Sequence, residues 1–457
     1  MRPSRLDRWL RVFADVRAGE GRSALLMFAN VFLILCAYYF IKPLREGWIA
    51  ISDVGSLEKM EVKAYSSFGQ SLLLLPVVWL YGRLSERRSR ARLITDSTLF
   101  CMANMLIFWL LQPGFFIENL PYMGVIFYLW VGMFGVFVVA QFFAFAADVY
   151  SDERGRRLIP FVALGATAGA ALGSLLTEPL VKSGRFGTEW LLLAAMIPLG
   201  ASILLTRVVD RREPRSEAPA SAPEARPEGA GRGAISLVLS SRFLIALGVI
   251  TLLLSWVNTN GENLLFRVVQ QFLESEANEK GVAADDVLAF TRDGTTAFYG
   301  NFFFWVNAVA LTLQAFVAAR LLKYGGFGVL LLAMPVVALM SYSVMALIPV
   351  LAIVKLMKIA ENATDYSINN TARHVVWLPI PAKITYKAKP TIDTLFVRMG
   401  DGLAAITVLV GVQLLALPTA SFFVFNISLV VIWLAFGLVV IREHGRLSEA
   451  NSGNGTR

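Results

Sequence analysis

The chain has 457 residues, of which 56% are hydrophobic and only 16% charged, with a mean hydropathy of +0.61. A soluble domain of this length could not cover so much apolar surface, so the composition excludes a water-soluble globular protein and makes lipid the solvent for most of the chain. The formal net charge of +9 is read as topological, and no nucleic-acid partner is expected from it.

Apolar stretches of roughly 18 to 25 residues match the ~30 Å hydrocarbon core of a bilayer. In chain order they predict spans at 23–41, 64–82, 93–111, 120–147, 158–181 and 189–206, then at 243–266, 299–319, 327–346, 350–372, 392–415 and 420–441. The opening residues MRPSRLDRWLRVFADVRAGEGR lack the apolar centre of a secretory signal, so span 1 is expected to remain in the mature protein. Cys36 and Cys101 fall inside spans, where a pair of buried free thiols is expected rather than a disulfide. In span 5, Gly165, Gly169 and Gly173 recur every fourth residue, a spacing that lets helices approach closely; they are read as scaffold.

Charge orients the spans. Of the 42 Lys and Arg residues, 30 lie in segments that share a side with the N-terminus and nine in the opposite loops. The positive-inside rule then puts both termini in the cytoplasm, as an even number of spans requires. The stretch DRREPRSEAPASAPEARPEGAGRGA (210–234) is too polar and too rich in Pro and Ala to fold, and reads as a flexible cytoplasmic linker. It divides the chain into an N-terminal six-helix half (1–209) and a C-terminal six-helix half (235–445), with a disordered tail at 446–457. The expected class is therefore all-α membrane, with twelve transmembrane helices. The long segment 267–298 on the outer side is read as a short polar helix or lid, or equally as a solvated loop.

Ionisable side chains at membrane depth are costly unless they pair or line water, and so mark candidate sites. The first cluster closes span 1: Lys42, Arg45 and Glu46, with Pro43 expected to kink the helix. Its excess positive charge suits an anionic solute, and the alternative is an interfacial anchor that snorkels to the headgroups. The second cluster lies in span 10, where Lys355, Lys358, Glu361 and Asp365 are spaced to share one helical stripe. That stripe either faces a cavity or consists of ion pairs acting as structural glue. In the loop and span 11 lie Arg373, Lys383, Lys387, Lys389, Asp393, Arg398 and Asp401; Arg398 and Asp401, one turn apart, are expected to pair. The polar end of span 7, with Asn258, Asn260, Glu262, Asn263 and Arg267 around Gly261, either unwinds to bind solute or simply begins the outer loop. No phosphate-cradling GxxxxGK[ST] loop and no HExxH or Cys/His metal set occurs, which argues against an ATP-hydrolysing pump, a metal site or any cofactor.

The stretch GRLSERRSRARL (82–93) resembles the cytoplasmic gating motif of the major facilitator superfamily, through Gly82, Leu84, Glu86, Arg87, Arg90 and Arg92, with Ser89 where a second glycine is usual. Three further stretches resemble the ATP/ADP translocase type of nucleotide transporter of plastids and intracellular bacteria. These are YYFIKPLREGW, AADVYSDERGRRLIPFVALGA and DYSINNTARHVVWLPIPAKITYKAKPTIDTLFVRMGD. The last carries Tyr366-Ser367, Thr371 with Arg373, Leu378-Pro379, Lys387 and Lys389, Ile392-Asp393, and Arg398 with Gly400. Two departures stand out: Arg45-Glu46 replaces the family's Lys-Asp pair, and Val131 falls nearest the position of its acidic residue in span 4.

The resemblance implies a major facilitator-like fold and a monomeric secondary carrier in the cell (inner) membrane. Such a carrier would work by alternating access on a nucleotide (ATP/ADP-type) or another phosphate-bearing anion. The candidate solute-binding residues are Lys42, Arg45, Glu46, Glu262, Lys355, Lys358, Glu361, Asp365, Lys389, Arg398 and Asp401. The alternatives are a proton-coupled symporter or exporter of a non-nucleotide solute and a non-transporting membrane scaffold or sensor; an enzyme is not expected.

Overall fold

A computed structural model of the chain describes residues 5–10, 15–85, 90–111, 122–184, 187–213 and 232–454. Within them the chain is almost wholly helical. The long helices are α1 (Gly21–Ala50), α2 (Lys59–Ser85), α3 (Arg90–Leu111), α4 (Met123–Val149), α5 (Asp152–Lys182) and α6 (Trp190–Arg212). After the linker come α7 (Arg242–Glu279), α8 (Val287–Leu313), α9 (Ala319–Leu347), α10 (Leu351–Thr364), α11 (Val397–Leu409) and α12 (Thr419–Asn454). A π-helical turn, Asp365–Asn369, and a short helix, Asn370–Val375, carry α10 onward; helix Ala382–Thr391 and the turn Ile392–Phe396 lead into α11. Each predicted span falls on one of these helices, at 350–372 and 392–415 together with the π-helical turns that adjoin it.

Among the described residues, nine helical stretches are long and apolar enough to cross a membrane, and one of them, Ala284–Leu347, contains both α8 and α9. Gly326 separates that pair: its φ of +72° belongs to the left-handed region that glycine adopts without strain. The fold is an all-α membrane fold.

Several helices outrun the expected spans. α1 continues as helix through Pro43 to Ala50, and α7 runs unbroken to Glu279. The segment 267–298 is therefore neither a separate lid nor a simple loop: most of it extends α7 and begins α8. The reason lies in its sequence, since Arg267 to Glu279 keeps Val268, Val269, Leu273 and Ala277 on a buried stripe at helical spacing. Residues 214–231 of the expected linker lie outside the described residues, and α12 runs on to Asn454, into the stretch read as a tail.

The chain forms two compact units. Unit one comprises residues up to Ser56, Leu72–Pro223 and Leu273–Ala308; unit two comprises Leu57–Ser71, Glu224–Phe272 and Val309–Arg457. In unit one α1 packs along α5, α6 and α4. The glycine stripe of α5 makes this possible: a Cβ on Gly169 would lie 2.1 Å from the Phe32 carbonyl oxygen, and one on Gly173 would lie 2.4 Å from that of Cys36. Buried hydrogen bonds from Asn30 to Thr206 (2.9 Å) and from Ser202 to Asn30 (2.7 Å) lock α1 to α6. Cys36 and Cys101 are buried free thiols. In unit two α9 packs against α12 and α10.

Candidate functional site

In unit one the end of α1 turns its cations inward onto aromatic rings. The Lys42 ammonium sits 4.0 Å from the ring centre of Phe303 on α8 and 5.0 Å from that of Tyr39. The Arg45 guanidinium lies 4.2 Å over Tyr128 of α4 and pairs with Glu46 at 2.5 Å. Glu46 is buried and Arg45 nearly so, and neither snorkels to a headgroup; ring faces and one carboxylate take the place of most water around the charges.

In unit two the stripe on α10 divides. Lys358 and Glu361, both sealed from solvent, pair at 2.9 Å. Lys358 also lies 3.5 Å from Glu262 of α7, and Asn362 donates to Glu262 at 2.8 Å. The Tyr342 hydroxyl of α9 is 3.0 Å from Glu361 Oε1 and 3.1 Å from the Val257 carbonyl oxygen. Gly261 is what admits this cluster: a Cβ there would stand 2.1 Å from the Tyr342 hydroxyl and 2.7 Å from Lys358 Nζ. The expectation that Gly261 unwinds α7 is thereby corrected, because the glycine keeps its helix and yields side-chain space instead. Lys355 is only half-buried, and Asp365 accepts from Asn369 at 2.6 Å within its own π-helical turn. Among the described residues Asp365 forms no ion pair with Lys358.

Arg398 and Asp401 pair as expected, at 3.2 Å. Asp401 also accepts from the hydroxyls of Ser71 (2.5 Å), Ser255 (2.8 Å) and Thr259 (2.9 Å), which ties α2, α7 and α11 together within unit two. Lys389 lies apart from both clusters, on a cavity with Arg373 and Asp393. Of the gating motif, Glu86 and Arg87 lie outside the described residues; Gly82 and Arg90 belong to the facing ends of α2 and α3.

Sequence reasoning missed several partners. Glu61 and Lys63 looked like loop charges, yet both are buried in the first turns of α2. Glu61 accepts from Tyr65 (3.0 Å) and Gln413 (2.8 Å), while Lys63 donates to the Glu262 carbonyl oxygen at 3.3 Å. The usable signal was Met60, Val62 and Ala64 interleaved with them, together with the i,i+4 pair of Glu61 and Tyr65. Tyr342 was passed over as one more apolar residue, although a buried tyrosine hydroxyl demands a partner.

Solved structures similar to this chain include several transporters. The POT family transporter PepTSo matches at a TM-score of 0.59 and 13% identity, over 93% of this chain and 98% of that one. The architecture is a major facilitator fold. A mutant of the nucleoside transporter NupG matches at a TM-score of 0.57 and 13% identity, over 93% and 99% of the two chains. The human organic anion transporter MFSD10 (TETRAN) matches at 0.54 and 14%, over 92% and 100%. No family model matches the sequence, and no curated protein matches it either. At such identities the likeness carries the fold alone, so any role must be argued from the chain's own charges.

Proposed function

We propose that the protein is a secondary transporter working by alternating access on a phosphate-bearing anion of the nucleotide type. Both termini would be cytoplasmic in a cell inner membrane, and the protein would act as a monomer. What supports the reading most is Lys358, an ammonium buried at membrane depth between two carboxylates on neighbouring helices. A charge kept at that cost has a task, and a lysine released from its carboxylates by an arriving anion is one. Lys42 and Arg45 in unit one supply a second cationic set, held against aromatic rings. Glu46, Glu262 and Glu361 keep these cations in place while the solute is absent.

The test is uptake by reconstituted liposomes of labelled ATP, ADP and sugar phosphates, with and without unlabelled counter-substrate inside. Accumulation that depends on internal nucleotide supports exchange. Absence of flux for every phosphate-bearing solute contradicts the assignment.

One observation favours a second reading. Glu361 is buried between the Lys358 ammonium and the Tyr342 hydroxyl, and a carboxylate held at membrane depth is the kind of group that takes up and releases a proton during transport. Proton-coupled transport of a non-nucleotide solute predicts uptake driven by an imposed pH gradient and lost in Glu361→Gln. The scaffold alternative predicts no flux and tolerance of substitutions at Lys358.

A further inference from the structure

Where the continuation of α10 ends and the helix leading into α11 begins, unit two encloses a cavity of about 240 Å³. Its polar lining includes Asn370, Arg373, His374, Lys389 and Asp393, and Trp377 adds a flat apolar wall. Arg373 donates to Asp393 at 3.1 Å, which fixes the guanidinium in direction while using one of its five N–H donors. Lys389, half-buried beside it, forms no ion pair among the described residues. Two permanent cations therefore face one carboxylate. Burial, then the charges of Lys389 and Arg373, hold His374 below its usual range, with Asp393 opposing, so the imidazole is neutral at pH 7 and can donate one N–H.

We infer that this cavity is a second anion site, which takes a phosphate or diphosphate group on Lys389 and the remaining N–H donors of Arg373. The pair offers what phosphate recognition needs: a directed planar fork and a mobile point charge. The volume exceeds that of a lone phosphate and leaves space for a second phosphoryl group against Trp377. The site is distinct from the Lys358 cluster and does not rest on the transport reading. Its ligand comes either from solution or from the headgroup of an anionic phospholipid, since the segment 373–389 lies on the side that the basic residues assign to the cytoplasm. A bound phosphate opposes the field of Lys389 and Arg373 on His374 and so favours the protonated imidazole.

The experiment is calorimetric titration of the purified full-length protein with pyrophosphate in chloride buffer. The parent should bind. Lys389→Ala and the length-preserving Lys389→Gln should each bind roughly tenfold more weakly. Lys323→Ala, which removes a lysine outside the cavity, should match the parent. A second arm measures thermal stability in nanodiscs of phosphatidylglycerol against phosphatidylcholine. Stabilisation by phosphatidylglycerol that is lost in both Lys389 variants assigns the site to a headgroup, and pyrophosphate binding without it assigns the site to a soluble ligand. Failure of the parent to respond to either probe, or an unchanged response in folded Lys389 variants, overturns the inference.

Discussion

Lys358 Nζ stands 2.9 Å from Glu361 Oε2, one turn along the same helix, with both side chains closed off from solvent. Glu262 approaches the same ammonium from α7, and the Tyr342 hydroxyl caps Glu361 from α9. Three helices of unit two thus converge on one lysine. Removing either partner of a buried pair leaves the other charge uncompensated, which typically costs about 3–5 kcal/mol. Lys358→Met and Glu361→Gln should each lower thermal stability, Lys358→Met the more, because it removes the cation that two carboxylates share. The double variant should recover part of the loss, and a thermodynamic cycle by thermal melting checks that coupling.

Asp401 collects three hydroxyls and one guanidinium. Asp401→Ala should destabilise unit two by about 3 kcal/mol, through stranded donors and an unpaired Arg398. Solute affinity per folded molecule should stay close to that of the parent, which binding assays on protein purified below its melting temperature would check. That outcome would place Arg398 and Asp401 in the scaffold rather than among solute ligands.

The glycine stripe gives a packing prediction. Gly169→Ala must push the backbone of Phe32 away from a 2.1 Å approach, whereas Gly200→Ala meets nothing within 4 Å. The first should cost about 2 kcal/mol or more, and the second should be neutral or slightly stabilising. Side-by-side thermal melts of the two variants separate helix contact from helix propensity.

Glu20, just before α1, accepts from the Arg17 backbone N–H at 2.9 Å and pairs with Arg157 (2.9 Å) and Arg154 (3.3 Å) at the head of α5. Burial pushes its carboxyl upward, but the hydrogen bonds and charges of its partners, Arg157 foremost, win and hold it below its ordinary value of 4.5. A depressed carboxyl stabilises the fold above its unfolded value and loses that contribution as pH falls through the folded one. Melting temperature should therefore drop as pH is lowered below about 4.5, and drop less steeply in Glu20→Gln.

The twelve-helix plan was legible because lipid imposes long apolar runs, and even the break at Gly326 was visible as the Gly325-Gly326 pair. The helix ends were not. Arg267 to Glu279 is polar enough to read as loop, and only its narrow buried stripe keeps it helical. At the site, spacing correctly linked Lys358 to Glu361 and Arg398 to Asp401, since partners one turn apart follow from helix geometry. Spacing could not sort the rest of the α10 stripe. The π-helical turn at Asp365–Asn369 shifts the register, and Asp365 finds Asn369 instead of a lysine. Nor could a single sequence pair residues far apart along the chain, such as Glu262 with Asn362 or Glu61 with Gln413.

The most direct measurement of the central claim is nucleotide exchange by liposomes carrying the parent or Lys358→Gln, each normalised to folded, membrane-inserted protein. The account predicts exchange in the parent and its loss in Lys358→Gln, with an inserted and monodisperse variant. Exchange at the parent's rate and affinity in Lys358→Gln would contradict it.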